Sequence, residues 1–495
     1  MNHAIRRVGL AVTVLILALV AQLTYLQVVA ADRLERDPRN VRAQIRDFSR
    51  PRGQIVTADG QIVAQSVKVD DEFEYQRQYP LGSLFGHVSG YQSFTLGNTG
   101  VEDVYNDVLI GRDARLQVGS LRNISDLFSG KQTIGNVVLT ISAAAQQAAR
   151  DALGDKRGSI VALDPRTGAI LAMYSNPSFD PTPLASHNAA EVDAAFAALN
   201  ADPANPALPR AWRETYPPGS TFKVVTTGVG LETGTTTPET EYPTLEELPL
   251  PLTNTTISNF GGSTCGGTLV ESFVASCNTT FARLGLDLGE KFPPGTAQFG
   301  ISSSPPLDES PRAVASQGPQ AGTFATAAPQ FALAGIGQGP VSVTPLQMAL
   351  VAAGVANGGV IASPHVLGSV TDVDAKVIRT ADTEKWTTAM PPAVAATVGD
   401  MMRQVVERGT GTAAAIDGVA VAGKTGTAQN DDAQGNRRAP HAWFIGYAPA
   451  EAPRVAIAVI VENGGTPGAG DEVTGGRVAA PLAKTMLQLL LGQSQ

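Results

Sequence analysis

The apolar positions of this chain change their spacing three times, and each change predicts a different kind of element. The first regime is continuous. An apolar run from Val8 to Val20 continues as AQLTYLQVVAA to Ala31, 24 residues in all. A helix of roughly 20 apolar residues crosses a bilayer, so this run predicts a membrane span. Gln22, Thr24, Tyr25 and Gln27 suit a helix nearing an interface and favour an uncleaved anchor. A cleaved signal peptide, cut near Val29 and Ala31, is the alternative reading. Residues 32–140 show no strong helical period and carry turn signals at Arg52-Gly53, Asp59-Gly60 and Gly97-Asn98. They predict a small strand-rich module.

From residue 142 the pattern becomes regular. SAAAQQAARDAL predicts a helix over 142–153, capped by Ser142 and closed by Gly154. GSIVALD (158–164) and AILAMYS (169–175) predict a β-hairpin, and HAWFIGYAP (441–449) with RVAIAVIVEN (454–463) predicts a second. VAVAGKTGTAQ (419–429) reads as a strand before it, and GRVAAPLAKTMLQLLL (476–491) as a terminal helix. Residues 344–359 carry a strong helix signal, with Thr344 and Gln347 as a capping box, Pro345 in the first turn and Asn357-Gly358-Gly359 as the stop. Residues 293–341 are rich in Gly, Pro, Ser and Ala and read as a long surface excursion. Strands at both ends and helices between them predict an α+β domain, one antiparallel sheet with helices packed around it. The expected organisation is a tail and anchor over 1–31, a pedestal over 32–141 and the main domain over 142–491.

Composition adds limits. At 495 residues, 43% apolar and 16% charged, the chain is long enough for two or three folded domains. A net charge of −9 gives no case for a nucleic-acid partner. Nine arginines against four acidic residues in 1–55 leave the remainder more acidic than the total. Arg33, Arg36, Arg39, Arg42 and Arg46 follow the span, and a literal lysine/arginine count would put the large domain inside. The two cysteines, Cys265 and Cys277, have no histidine at ligand spacing, which argues against zinc. Free buried thiols and a disulfide both stay open. The five histidines show no paired spacing, and no glycine-rich phosphate loop follows a strand.

The candidate chemistry lies in ETYPPGSTFKVVTT, 214–227. Pro217, Pro218 and Gly219 break the chain so that a helix starts at or beside Ser220. Lys223, three residues on, shares a helix face with it. The helix amino terminus favours negative charge at the serine oxygen, and the apolar neighbours Phe222, Val224 and Val225 favour a neutral amine. Alone, Ser-x-x-Lys is an ordinary cap followed by a solvated lysine. Two further motifs follow in order. Ser276-Cys277-Asn278 reads either as polar capping or as a proton-relaying hydroxyl with a carbonyl-binding amide. Ser186-His187-Asn188 is a decoy upstream of the nucleophile. Lys424-Thr425-Gly426-Thr427 reads either as a solvated strand face or as a cationic edge. There Gly426 would admit a ligand to the backbone and the threonine hydroxyls would grip a carboxylate.

These three motifs match the set shared by serine β-lactamases and penicillin-binding proteins. With GSIVALDPRTGAILAMYSNPSFDP, YPPGSTFKV, GIGQGPVSVTPLQMALVAAGVANGG, VAGKTGTAQ and HAWFIGYAP, nearly the whole chain resembles a class B penicillin-binding protein of the actinobacterial kind. SRPRGQIVTADGQIVAQS resembles the first motif of that family's pedestal. The resemblance implies a five-stranded antiparallel sheet with an all-helical subdomain. It also implies a DD-transpeptidase whose Ser220 attacks D-alanyl-D-alanine, with Lys223 as base and Ser276, Asn278 and Lys424 completing the site. Thr425, Gly426 and Thr427 would bind substrate, and the Ser220 and Thr427 N–H groups would form the oxyanion hole. β-Lactams would acylate Ser220. The partners implied are peptidoglycan stem peptides and membrane proteins of division or elongation, with no cofactor or metal. The catalytic domain would then be extracytoplasmic, and a Cys265–Cys277 bridge becomes a reasonable expectation there. The alternatives are a DD-carboxypeptidase, a β-lactamase or β-lactam sensor, and a division scaffold without catalysis. A class A lactamase needs a deacylating glutamate, for which only Glu309 has a plausible position, without the expected neighbours.

Overall fold

The computed structural model describes residues 2–30, 33–34, 45, 47–116, 134–308, 313–431, 437–464 and 473–492. Arg36, Arg39, Arg42, Arg46, Ala31 and Glu309 lie outside them. The chain divides into two compact units: residues 1–51 with 66–76, and residues 52–65 with 77–495. The first unit contains helix α1 (Asn2–Thr24), which continues as a π-helical turn to Val29. Ile5–Val29 is long and apolar enough to cross a membrane, with a mean hydropathy of 2.2 and none of that surface buried in protein. In the same unit Phe48 packs edge-on against Phe73.

In the second unit, helix α2 (Ala143–Leu153) begins where expected, with the Ser142 side chain accepting from the Ala145 N–H. Five strands then form one antiparallel sheet: β1 (Gly158–Leu163), β2 (Ile170–Asn176), β3 (Ala422–Asp431), β4 (Arg437–Ala448) and β5 (Val455–Val461). Their order is β3-β4-β5-β1-β2, so the two sequence-distant hairpins meet at β5–β1 and β3 is an edge strand. Every residue of β5 is buried, which requires cover on both faces. That cover comes from α7 (Pro345–Ala356) and the terminal α9 (Gly475–Leu491), with α2 against β2 and α8 (Pro392–Arg408) against β3. The helical part between the hairpins includes α3 (Lys223–Glu232), α4 (Leu269–Ala275), α5 (Asn278–Leu288) and α6 (Phe324–Gly335).

Three expectations are corrected. The 293–341 stretch is no surface excursion: Phe299, Ile301, Leu307, Phe331 and Val341 are all core residues. Its glycines serve close packing. A Cβ at Gly335 would lie 2.2 Å from the Phe281 carbonyl oxygen, and one at Gly285 would lie 2.3 Å from that of Phe331. Small residues here let α5 and α6 touch backbone to backbone. The Thr344 capping box is half formed, because Thr344 Oγ1 accepts from the Gln347 N–H but the Thr344 N–H donates to Ser316 Oγ and not to the Gln347 side chain. The module before 142 holds helices besides the expected strands, and its sheet is not closed on itself. It holds short helices at Gly86–Ser89, Gly100–Val104 and Asn106–Leu109. Its strand Asn136–Leu139 pairs with Leu367–Thr371 from late in the chain. A two-residue strand such as Ile55–Val56 offers too little pairing surface alone, and the late strands extend its sheet.

Candidate active site

Ser220 lies in a 3₁₀ turn, Gly219–Phe222, that leads directly into α3. Gly219, Thr221 and Phe222 are buried, so Ser220 is the residue of that turn that reaches solvent. The turn is pressed against the edge strand. Gly219 has φ 53°, and a Cβ there would lie 2.8 Å from the Thr427 carbonyl oxygen. A Cβ at Gly426 would lie 2.7 Å from the Pro218 carbonyl oxygen and 2.9 Å from Thr221 Cγ2. Gly426 therefore makes room for the nucleophile turn on that face of β3. Trp443 on β4 donates its indole N–H to the Pro217 carbonyl at 3.0 Å.

Lys223, fully buried, points toward the Ser-x-Asn motif. Its Nζ donates to the Ser276 carbonyl at 2.7 Å, to Asn278 Oδ1 at 2.9 Å and to Ser276 Oγ at 3.3 Å. Lys424, also fully buried, donates to the same Ser276 Oγ at 2.8 Å and to the Thr425 carbonyl at 3.2 Å. The strand lysine is thus no solvated face. Two amine side chains converge on one hydroxyl, with Nζ 5.4 Å from the Phe281 ring centre for Lys223 and 5.7 Å from that of Phe273 for Lys424. Burial pushes the Lys223 amine well below its ordinary pKa, and the Lys424 charge pushes it lower. Burial lowers Lys424 to about 7. Burial thus favours the neutral form of both amines, and the Lys424 charge adds to that effect on Lys223. A neutral Lys223 needs only two of its three contacts as donor, which leaves its lone pair for a hydroxyl proton.

Ser276 is the C-cap of α4 in the left-handed conformation, φ 63° and ψ 41°. A serine there costs roughly 1–2 kcal/mol against glycine, and the two amines bonded to its hydroxyl account for the residue type. Asn278 opens α5. Its Oδ1 serves Lys223, and its Nδ2 donates to the Ser258 carbonyl at 3.0 Å. Asn259 beside it accepts from the Thr279 N–H at 3.0 Å and donates to the Leu245 carbonyl at 2.7 Å. Cys265 and Cys277 are paired, with Cα atoms 5.8 Å apart, so the residue between Ser276 and Asn278 is tied to the strand Cys265–Thr268. The decoy motif is ordinary capping, since Asn188 Oδ1 accepts from the Ala190 N–H at the start of the helix Ala189–Ala201.

The threonines of β3 already have partners. Thr425 Oγ1 lies 2.6 Å from Thr410 Oγ1, and Thr427 Oγ1 accepts from the Gly475 N–H at 3.3 Å. Thr410, Tyr216 and Asn259 were absent from the candidates drawn from sequence. Each acts through a contact between segments that no local motif announces.

A family model described as the penicillin binding protein transpeptidase domain matches residues 158–488, and one described as the penicillin binding protein A dimerisation domain matches 52–138. The chain is 43% identical over 504 residues to the peptidoglycan D,D-transpeptidase PbpA of Mycolicibacterium smegmatis, with 99% of each chain covered. It is 40% identical over 506 residues to PbpA of Mycobacterium tuberculosis, again with 99% of each covered. The ceftriaxone acyl-enzyme complex of penicillin-binding protein A from M. tuberculosis superposes with a TM-score of 0.82 at 37% identity, covering 90% of this chain and 100% of that one. With these motifs converging in one site, the chain belongs to the class B penicillin-binding protein transpeptidases.

Proposed function

We propose that this protein is a peptidoglycan D,D-transpeptidase that works through an acyl-enzyme on Ser220. The observation that carries the reading is the junction of Lys223 and Lys424 at one serine hydroxyl, beside a serine-bearing turn open to solvent. Ser220 Oγ attacks the carbonyl of the D-alanyl-D-alanine bond while neutral Lys223 takes its proton. The tetrahedral oxyanion is held by the Ser220 and Thr427 N–H groups, a role supported by the packing of Gly219 on Thr427. Loss of one such donor typically costs ~3 kcal/mol of transition-state stabilisation. The proton passes by Lys223 and Ser276 to the departing D-alanine amine. Lys424 keeps the relay electropositive. The amine of a neighbouring stem then attacks the ester, gives up its proton and restores Ser220. General-base assistance of this kind contributes roughly 10²–10⁴ in rate.

The same reading assigns the remaining parts. The Asn278 amide faces the substrate, and Thr425 and Thr427, with Thr410 behind Thr425, meet its terminal carboxylate. α1 anchors the chain, the large domain lies outside the membrane, and Cys265–Cys277 is a disulfide in that oxidising compartment. The stretch 32–141 acts as pedestal, and membrane proteins of division or elongation are its partners. Translocation despite Arg33 and its neighbours agrees with the rule that long domains cross largely regardless of flanking charge. Product analysis with stem peptides and an added acceptor amine tests the assignment. Cross-linked dimer is the expected product, whereas release of D-alanine without dimer would make the protein a carboxypeptidase.

A further inference from the structure

A second network meets the nucleophile turn at Tyr216. Tyr216 stands directly before Pro217-Pro218-Gly219-Ser220, and its backbone pairs with Val343 in both directions at 2.9 Å. Its hydroxyl donates to Glu462 Oε1 at 2.8 Å. The same oxygen accepts from Arg210 Nε at 2.8 Å, and Arg157 Nε approaches Oε2 at 3.2 Å. Arg210 is only 1% exposed and is fixed in turn by the carbonyls of Ala204 and Asn205. The Tyr216 ring packs edge-on against Trp443, with centroids 6.2 Å apart, and against His441 at 5.4 Å. Trp443 holds the Pro217 carbonyl, and the Gly219 N–H is held by the Gly337 carbonyl at 2.9 Å. The turn that carries Ser220 is therefore fixed at Tyr216, Pro217 and Gly219, and the first of these anchors ends in a partly buried carboxylate.

We propose that Glu462 is a positioning residue for Ser220, acting by holding the Tyr216 hydroxyl and, through the Tyr216 ring and backbone, the Pro217–Ser220 turn. This inference rests on the acyl-enzyme reading above. Glu462 touches no reacting atom. Its part is to keep the hydroxyl of Ser220 in line for attack, where small misplacements are costly in rate. Buried Arg210 sets the carboxylate, whereas half-exposed Arg157 only neutralises its other oxygen.

The test is rapid-mixing acylation of the detergent-solubilised full chain by a fluorescent penicillin, resolved into a binding constant and an acylation rate, with melting temperature measured on each variant. Tyr216→Phe and Glu462→Leu should each slow acylation ~10-fold with the binding constant unchanged. The double variant should be no slower than the slower single one. Glu462→Gln keeps an oxygen that accepts from Tyr216 and should recover most of the rate. Arg157→Gln should acylate like the unmodified protein. Normal acylation by Tyr216→Phe, or rate losses that follow melting temperature equally in Arg157→Gln, would overturn the inference. Should Glu462→Leu not fold, Tyr216→Phe decides alone, since it removes a single hydroxyl. An unmodified protein that takes up no penicillin at Ser220 would overturn the acyl-enzyme reading and this inference with it. Normal labelling with an unimpaired Tyr216→Phe would overturn the inference only.

Discussion

Lys223 and Lys424 are both removed from water, and of two such neighbouring amines only one can remain charged cheaply. The Lys424 charge helps to depress Lys223. Replacing Lys424 by Met should therefore move the rising limb of the residual acylation rate to higher pH, as Lys223 regains affinity for its proton. An unchanged limb would show that burial alone sets the base. Stability carries the same sign. Lys424 falls from 10.5 to about 7 on folding, so the native state releases a proton that the unfolded chain retains. The cost is fully present below about pH 7 and is relieved as pH rises toward 10.5. Denaturant unfolding between pH 7 and 10 should show stability rising with pH in the unmodified protein, and a flatter rise in Lys424→Met. At this scale the start of the turn was readable, since the prolines and glycine before Ser220 fix where it begins, while the hydrogen bonds of Lys223 run to Ser276 and Asn278. Thr410 and Glu462 were not readable. Their partners Thr425 and Tyr216 lie 15 and 246 residues away, and no spacing rule connects them.

Elements align these residues by backbone contact more than by side-chain packing. β3 meets the nucleophile turn only because Gly219 and Gly426 carry no Cβ. Gly426→Ala should force the turn off the strand, costing about 1–3 kcal/mol of stability and slowing acylation ~10-fold or more. Full activity in that variant, assayed by penicillin labelling, would mean that the turn tolerates displacement. The loop between α4 and α5 is held differently. Its tie to Cys265 closes a short loop, and a bridge of that span is worth about 3 kcal/mol. Thiol titration of the folded, unreduced protein should find no free sulfhydryl, and reduction should lower both melting temperature and acylation rate. Two titratable thiols would remove the bridge. Both hairpins and the helices around them were legible because strand alternation and end caps are local signals. The 293–341 stretch misled for a physical reason: Gly, Ala and Ser mark loops, but they also mark helices packed at backbone distance, as at Gly285 and Gly335.

The whole molecule combines an apolar amino-terminal helix with a large, acidic, sheet-centred domain. The sheet of the early module includes strands from residues 367–380, so a cut near residue 141 would leave that sheet incomplete. This long-range pairing has no signature in either segment, which is why the module looked separable. Protease added outside intact spheroplasts should digest the large domain and spare α1, and full protection would reverse the proposed orientation. The central claim is a Ser220 ester formed with the help of a neutral Lys223. The direct measurement is mass spectrometry of the purified protein after incubation with penicillin, followed by peptide mapping. The account predicts one long-lived adduct on Ser220, lost in Ser220→Ala with the fold intact; an adduct on another residue, or rapid turnover of penicillin with no adduct, would contradict it.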